Sequence, residues 1–356
     1  MPRPIRAAIS AAAMKRNLEV ARRHAGGAEL WAVIKANAYG HGIERAVRAF
    51  AAADGFALLD LADASRLRRS GVRLPILLLE GFFQPEDLAS VCGLELTPVV
   101  HSPQQVAVLT SVALAKPIDV YLKVNSGMNR LGLNSADLGA AFDALRSRPG
   151  VRSVTLMTHF ADADGDEGVA GQLERFEQMT GGIDAPRCLA NSAALLRYPR
   201  TRADWVRPGI MLYGCSPFPE VAASELGLAP AMTLASEIIS VQRLNPGDRV
   251  GYGFRHSARA PTTIGVVACG YGDGYPRHAP DGTPVLVDGQ RAGTAGRVSM
   301  DLLCVDIGAI PGAGVGTPVT LWGDGLSADE VAAAAGTVSY QLLCGLAARV
   351  PVVELD

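Results

Sequence analysis

From residue 29 to about residue 215 the sequence keeps switching between two periods, and this alternation restricts the fold more than any other feature. Short β-rich runs fall at Leu30–Lys35, Gly55–Asp60, Leu74–Leu79, Glu95–Val100, Ile118–Val124, Ser153–Thr158, Arg187–Ala190 and Val206–Leu212. Most segments between them carry apolar residues at helical spacing, as in Ile43–Ala53 and Ser135–Arg146. A strand followed by a helix and then another strand has chain enough for a crossover, which parallel neighbours require. Eight such strands alternating with helices predict a (β/α)8, TIM-type barrel, an α/β architecture whose chemistry sits at the C-terminal ends of the strands.

The pattern breaks after about residue 226. Met232–Leu244, Thr262–Cys269, Pro284–Asp288, Leu302–Ile307 and Pro318–Trp322 are β-rich runs parted by Gly, Pro and Asp turns, and only Ala328–Ala335 and Tyr340–Ala347 read as helical. The expectation is a barrel over residues 1–225, followed by a mainly β C-terminal domain over residues 226–356, with the first residues of the chain packing on the β domain. There is no internal repeat and no low-complexity linker.

Composition removes several function classes. A net charge of −2 with no basic run leaves no footprint for nucleic acid or for a membrane surface. No apolar run approaches the ~20 residues that span a bilayer. Cys92, Cys188, Cys215, Cys269, Cys304 and Cys344 are scattered, with no CxxC pair or His/Cys cluster, so neither a metal site nor a disulfide scaffold is expected. The stretch Ala7–Met14 is too short for a signal peptide core, contains Ser10 and runs into Lys15 and Arg16. A cytoplasmic protein is expected.

The stretch richest in chemistry is AVIKANAYGHG at residues 32–42. Lys35 ends an apolar strand run, and a Gly-rich turn follows it. An ammonium placed there either has a lowered pKa or a partner, because burying it unpaired is costly. A neutral amine at the C-terminal end of a barrel strand suits Schiff-base chemistry. Taken alone, Lys35 reads equally as a lysine that snorkels to solvent.

AVIKANAYGHG closely resembles the cofactor-lysine motif of alanine racemases. Eight further matches follow in the same order: YLKVNSGMNRLG at 121–132, THFADAD at 158–164, ANSAALLRYP at 190–199, VRPGIMLYG at 206–214, VGYG at 250–253, GYGDGY at 270–275, GRVSMD at 296–301 and SYQLLCGLAARVP at 339–351. One such motif is weak; nine in register along nearly the whole chain are specific. The resemblance implies interconversion of L- and D-alanine with pyridoxal 5′-phosphate as cofactor, supplying D-alanine for peptidoglycan or feeding alanine catabolism.

Residue by residue, the resemblance implies that Lys35 holds the cofactor covalently and is one of two acid/base catalysts. Tyr252, within VGYG, is the other. Inversion requires the Cα proton to leave one face and return to the opposite one, which two bases accomplish directly. A free tyrosine ionises near ~10, so one serving as a base must be tuned. Arg207 would face the pyridine nitrogen, with His159 orienting it. Tyr39, Asn191, Ser192, Gly209, Ile210 and Tyr340 match the phosphate-binding positions, in agreement with the use of the loops after strands seven and eight in such barrels. Arg130 matches the residue that contacts the substrate carboxylate, joined by the backbone N–H of Met300 with Asp301 supporting it. Lys123 matches a lysine carbamylated in several members, and Asp164 and Tyr271 match residues lining the entrance. A family aspartate two residues after that lysine is Asn125 here. The resemblance also implies a head-to-tail homodimer in which Tyr252 faces the partner's cofactor. Judged alone, Tyr39 and Tyr252 read as aromatics at turns and His159 as a core histidine.

Two other classes compete. A different pyridoxal enzyme on this architecture, a decarboxylase or a broader racemase, is disfavoured by Arg207, because decarboxylases carry an acidic partner to the pyridine nitrogen. A non-catalytic pyridoxal-phosphate carrier would be a bare barrel, without residues 226–356 and their VGYG and SMD segments.

Overall fold

The computed structural model describes residues 3–355. They fall into two compact units, one of residues 18–38 and 43–212, the other of the residues up to 17, 39–42 and 213 onward. Strand β1 (Arg6–Ser10) belongs to the second. The next eight strands are β2 (Glu29–Val33), β3 (Gly55–Leu58), β4 (Ile76–Leu78), β5 (Leu96–Val100), β6 (Ile118–Lys123), β7 (Val151–Met157), β8 (Arg187–Cys188) and β9 (Trp205–Val206). Each pairs in parallel with the next, and β9 returns to β2 to close the barrel. The predicted (β/α)8 architecture is the observed one.

Ser135–Arg146 shows why the helices form where they do. Leu138, Ala141, Phe142 and Leu145 recur three and four residues apart and are all buried, so one face of the helix packs inward. In the barrel, Trp31 stacks on Trp205 with ring centroids 4.4 Å apart, and its Nε1–H donates to Tyr121 Oη at 3.0 Å. A Cβ at position 55 would lie 2.2 Å from the Trp31 ring, so only glycine leaves room for that indole.

Several strands are shorter than their apolar runs. The run read as a strand over Val206–Leu212 is one only to Val206. Pro208 has no N–H to offer a ladder, and Ile210–Tyr213 winds into a 3-10 helix. The run Glu95–Val100 starts at Leu96, because Glu95 is left-handed with φ 53°. The run Arg187–Ala190 ends at Cys188.

The other unit is built on a mainly antiparallel sheet. After β10 (Met232–Leu244), a short hairpin of β11 (Arg249–Val250) and β12 (His256–Ser257) stands apart. Then follow β13 (Thr262–Val267), β14 (Pro284–Val287), β15 (Gln290–Thr294), β16 (Leu303–Asp306), β17 (Pro318–Trp322) and β18 (Val352–Leu355). The sheet order is β13-β16-β15-β14-β17-β10-β1-β18. Met232, Leu234, Ser236 and Ile238 of β10 alternate inward, giving that strand its period of two. Ala7 of β1 lies opposite Leu234 of β10 and beside Val352 of β18. The sequence reading names neither β1, β15 nor β18 as a strand. β15 is QRAGT, β1 is alanine-rich and β18 is four residues long, so none carries a strong pattern.

Candidate active site

The C-terminal ends of the barrel strands gather most of the predicted cofactor residues, together with Lys123. Lys35 lies two residues beyond β2, Lys123 ends β6, His159 follows β7, Asn191 and Ser192 follow β8, and Arg207 directly follows β9.

The turn after Lys35 departs from the expected glycine turn. Ala36, Asn37, Ala38 and Tyr39 are all left-handed, with φ between 50° and 54°, before Gly40 is reached. Left-handed L-residues cost roughly 1–2 kcal/mol each, so the run stores on the order of 4–8 kcal/mol. The surroundings hold it: Ala38 N–H donates to the Ile34 carbonyl at 2.9 Å, and Asn37 Oδ1 accepts from Ile43 N–H at 3.0 Å. Strain retained at this price beside Lys35 fits a functional turn.

Arg207 is 4% exposed, and its two terminal nitrogens are committed to the protein. Nη1 donates to the Cys188 carbonyl at 2.7 Å, and Nη2 donates to the carbonyls of Thr158 at 2.7 Å and Leu189 at 3.1 Å. Nη2 also lies 3.4 Å from His159 Nδ1. Carbonyls at the ends of neighbouring strands thus hold the guanidinium more closely than His159 does, which side-chain matching could not reveal. Nε–H is left without an acceptor among the described residues. Burial pushes the His159 imidazole well below its ordinary value, and the charges of Arg207, Lys123, Arg130 and Lys35 push it further, so it is neutral. An arginine only donates, so Nδ1 is the acceptor and Nε2 carries the proton.

Lys123 is buried and makes no ion pair with any described carboxylate. Burial first, then the charges of Arg207 and Arg130, push its ammonium down to about 8, with Glu80 opposing them in part. Arg130 is exposed in the loop after β6. Asn125 organises that loop: its Oδ1 accepts from the N–H groups of Gly127 and Asn129, and its Nδ2 donates to Asn129 Oδ1. The amide therefore accepts the backbone N–H groups that a carboxylate at this position could take. Ser192 Oγ accepts from Gly209 N–H at 2.8 Å, joining the loops after β8 and β9, while Asn191 Oδ1 caps the helix Ser192–Arg197 through Ala194 N–H. Ile210 follows Gly209 and is buried; Asp164 is exposed beyond β7.

This donor set fits the cofactor implied by the sequence. Four cations, a hydroxyl and backbone N–H groups converge where few carboxylates oppose them, as a phosphate-bearing anion requires.

The other unit holds the remaining candidates. Tyr39 is buried and stacks on Tyr213 at 4.7 Å, with the Tyr340 ring 6.0 Å away. Burial, then Cys344, push the Tyr39 phenol above its ordinary range, so it remains a hydroxyl donor. Tyr252 is 70% exposed at the turn of the β11–β12 hairpin. Tyr271, Met300 and Asp301 are also exposed. The Met300 carbonyl accepts from Gly272 N–H at 2.8 Å, whereas the Met300 N–H has no acceptor among the described residues.

A network missed by the sequence reading holds this segment. Asp273 is fully buried and accepts both Nη groups of Arg3, Nε–H of Arg349 and the Gly270 N–H. The same arginines hold Asp301, Arg349 at its carboxylate and Arg3 at its carbonyl. Burial alone would raise the Asp273 carboxyl, but these donors keep it below the usual carboxylate range. Both Asp273 and Arg349 sit inside quoted motifs, which was the available signal; their pairing across 76 residues was not.

Comparison with known proteins agrees with this geometry. Residues 9–217 match the family model described as "Alanine racemase, N-terminal domain", and residues 231–354 match "Alanine racemase, C-terminal domain". The chain is 57% identical to an alanine racemase of Ralstonia nicotianae, over 99% of this chain and 95% of that protein. It is 54% identical to one of Erwinia tasmaniensis over 99% of both. Its fold superposes on the biosynthetic alanine racemase of Pseudomonas aeruginosa with a TM-score of 0.97 at 47% identity, covering 99% of this chain and 100% of that one. The alanine racemase of Acinetobacter baumannii gives a TM-score of 0.95 at 35% identity with the same coverage. Matched in both halves and along nearly its whole length, the chain belongs to the alanine racemase family.

Proposed function

We propose that this chain interconverts L- and D-alanine with pyridoxal 5′-phosphate as cofactor, working as a homodimer in the cytoplasm. The observation that carries the reading is the placement of Lys35, Lys123 and Arg207 at the C-terminal ends of barrel strands, with Arg130 lining the same pocket as Lys123 and a neutral His159. None of the six cysteines is joined in a disulfide among the described residues, which suits a reducing compartment, and no described helix is long and apolar enough to cross a membrane.

Pyridoxal phosphate, when bound, supplies a conjugated electron sink that loosens the Cα proton of an attached amino acid. Lys35 would hold it covalently. Tyr39, Ser192, Gly209, Ile210 and Tyr340 would serve its phosphate, with Asn191 capping the helix that starts at Ser192. The Arg207 Nε–H would donate to the ring nitrogen. As a permanent cation with no proton to give up, Arg207 would leave that nitrogen unprotonated and the sink weaker, which would suppress side reactions. Arg130 and the Met300 N–H would bind the substrate carboxylate, Asp301 would steady Met300, and Asp164 and Tyr271 would line the approach. Lys35 would exchange a proton on one face of Cα and the partner subunit's Tyr252 on the other. The exposure of Tyr252 supports this, since a base acting on a partner must stand clear of its own surface.

A racemisation assay over a panel of amino acids, on protein whose visible absorbance has been recorded, tests the proposal. Alanine should be turned over faster than any other amino acid. Cofactor-loaded protein that leaves L-alanine unchanged would overturn it.

Lys123 is suited to carbamylation. With its ammonium pushed down to about 8, the amine is neutral near neutral pH on the order of a hundred times more often than an ordinary lysine. The neutral nitrogen adds to the carbon of carbon dioxide and a proton leaves to solvent, turning a cation beside Arg130 into an anion. Labelled bicarbonate should give a carbamate carbon resonance in the wild type that Lys123→Gln lacks. The modification should be lost progressively as pH falls and protonation of the amine outcompetes carbon dioxide. Spectra indistinguishable between the two proteins would count against it.

A further inference from the structure

The β11–β12 hairpin that presents Tyr252 is held from its base. Val250 and His256 are its closing pair, and residues 251–255 form the turn between them. The turn needs left-handed backbone at Gly251, Gly253 and Phe254, and the backbone bond across it, Phe254 N–H to the Gly251 carbonyl, is 3.2 Å long. Tyr252 and Phe254 are 70% and 62% exposed, so packing does little to fix either ring.

The anchors lie one step below. Val250 is buried with Ile264 and Ala295. Opposite it, His256 Nδ1–H donates to Asp281 Oδ2 at 2.8 Å. The other carboxylate oxygen, Oδ1, accepts the N–H of Gly296. Gly296 has φ +80°, and a Cβ there would lie 2.9 Å from the Val250 carbonyl, so this close approach needs glycine. Gly296 also opens the GRVSMD segment that leads to Met300. One carboxylate, Asp281, thus ties the hairpin of Tyr252 to the segment carrying the Met300 N–H.

We propose that His256 and Asp281 are positioning residues for the proton transfer made by Tyr252, setting the height and direction of the phenol through the base of its hairpin. The inference rests on the two-base reading above. Neither residue touches substrate. Proton transfer requires heavy atoms within hydrogen-bond reach, and a displacement of about 1 Å can cost about 10²-fold in rate. Asp281 is exposed and His256 half-buried, so their pair contributes little to overall stability. Removing it should therefore leave the fold intact and loosen the hairpin.

The test is Asp281→Ala and His256→Gln holoenzyme, assayed in both directions with α-deuterated L- and D-alanine. Turnover should fall about 10- to 100-fold, with cofactor content and melting temperature unchanged. Because only one face is weakened, the deuterium isotope effect should rise for one enantiomer and fall for the other. Asp281→Asn, which keeps an acceptor, should recover part of the rate. An equal loss in both directions with both isotope effects unchanged means fewer active molecules, and overturns the inference. Wild-type turnover in both variants also overturns it. Should Asp281→Ala fail to fold, His256→Gln and Asp281→Asn carry the same comparison. Tyr252→Phe separates the two layers of argument. If that variant turns over normally, the two-base reading itself is wrong; if it is silent while the other variants match wild type, only the positioning role falls.

Discussion

Lys35→Ala protein should fold, bind no cofactor covalently and racemise alanine at less than about a thousandth of the wild-type rate. Two losses combine. A positioned acid/base group contributes roughly 10²–10⁴-fold by itself, and without the amine the cofactor is also no longer tethered. The fold should survive, because the left-handed run begins at Ala36, beyond the substituted residue, and is held through Ala38 N–H and Asn37 Oδ1. Arg207 keeps its carbonyl acceptors regardless of residue 35. The measurements are visible absorbance, racemisation rate and borohydride reduction followed by mass analysis. Cofactor still fixed to the mutant by borohydride would place the covalent bond elsewhere and sink the assignment.

Mixing inactive Lys35→Ala subunits with inactive Tyr252→Ala subunits should return about a quarter of wild-type activity. On the proposed shared-site reading, each site takes Lys35 from one subunit and Tyr252 from the other. Every site of either homodimer then lacks one base. In a heterodimer, the barrel that keeps Lys35 meets the hairpin that keeps Tyr252, and the second site has neither. Random two-fold pairing makes half the dimers heterodimers, each with one complete site of two, hence the quarter. If the bases act within one subunit, no site is complete and mixing restores nothing. Co-expression with two different tags isolates the heterodimer, and an inactive heterodimer that still binds cofactor would exclude the shared site. The exposure of Tyr252, Phe254 and Met300 favours recovery, since a face completed by another copy stands open in a single chain.

The sequence alone determined the alternation of strand and helix periods, and with it the barrel, because burial on one helix face and in a parallel strand each leaves a local pattern. Ser135–Arg146 is helical over the residues its spacing predicts. It also marked the candidate side chains of the proposed site, through motifs short enough to lie in one loop, such as AVIKANAYGHG and VGYG. Tertiary structure decided what depends on groups far apart in the chain. The left-handed turn at Ala36–Tyr39 contains no glycine until residue 40, so no local preference announces it; surrounding bonds impose it. Arg207 is oriented by carbonyls 18, 19 and 49 residues away, and a carbonyl has no identity in a sequence. The same holds for β1, which finds its place between β10 and β18 only when strands from both ends of the chain meet. It holds again for Asp281, an ordinary turn aspartate until folding brings His256 and the Gly296 N–H to its two oxygens. Local spacing records what a segment must bury, whereas the partners that orient it are chosen only when the chain closes.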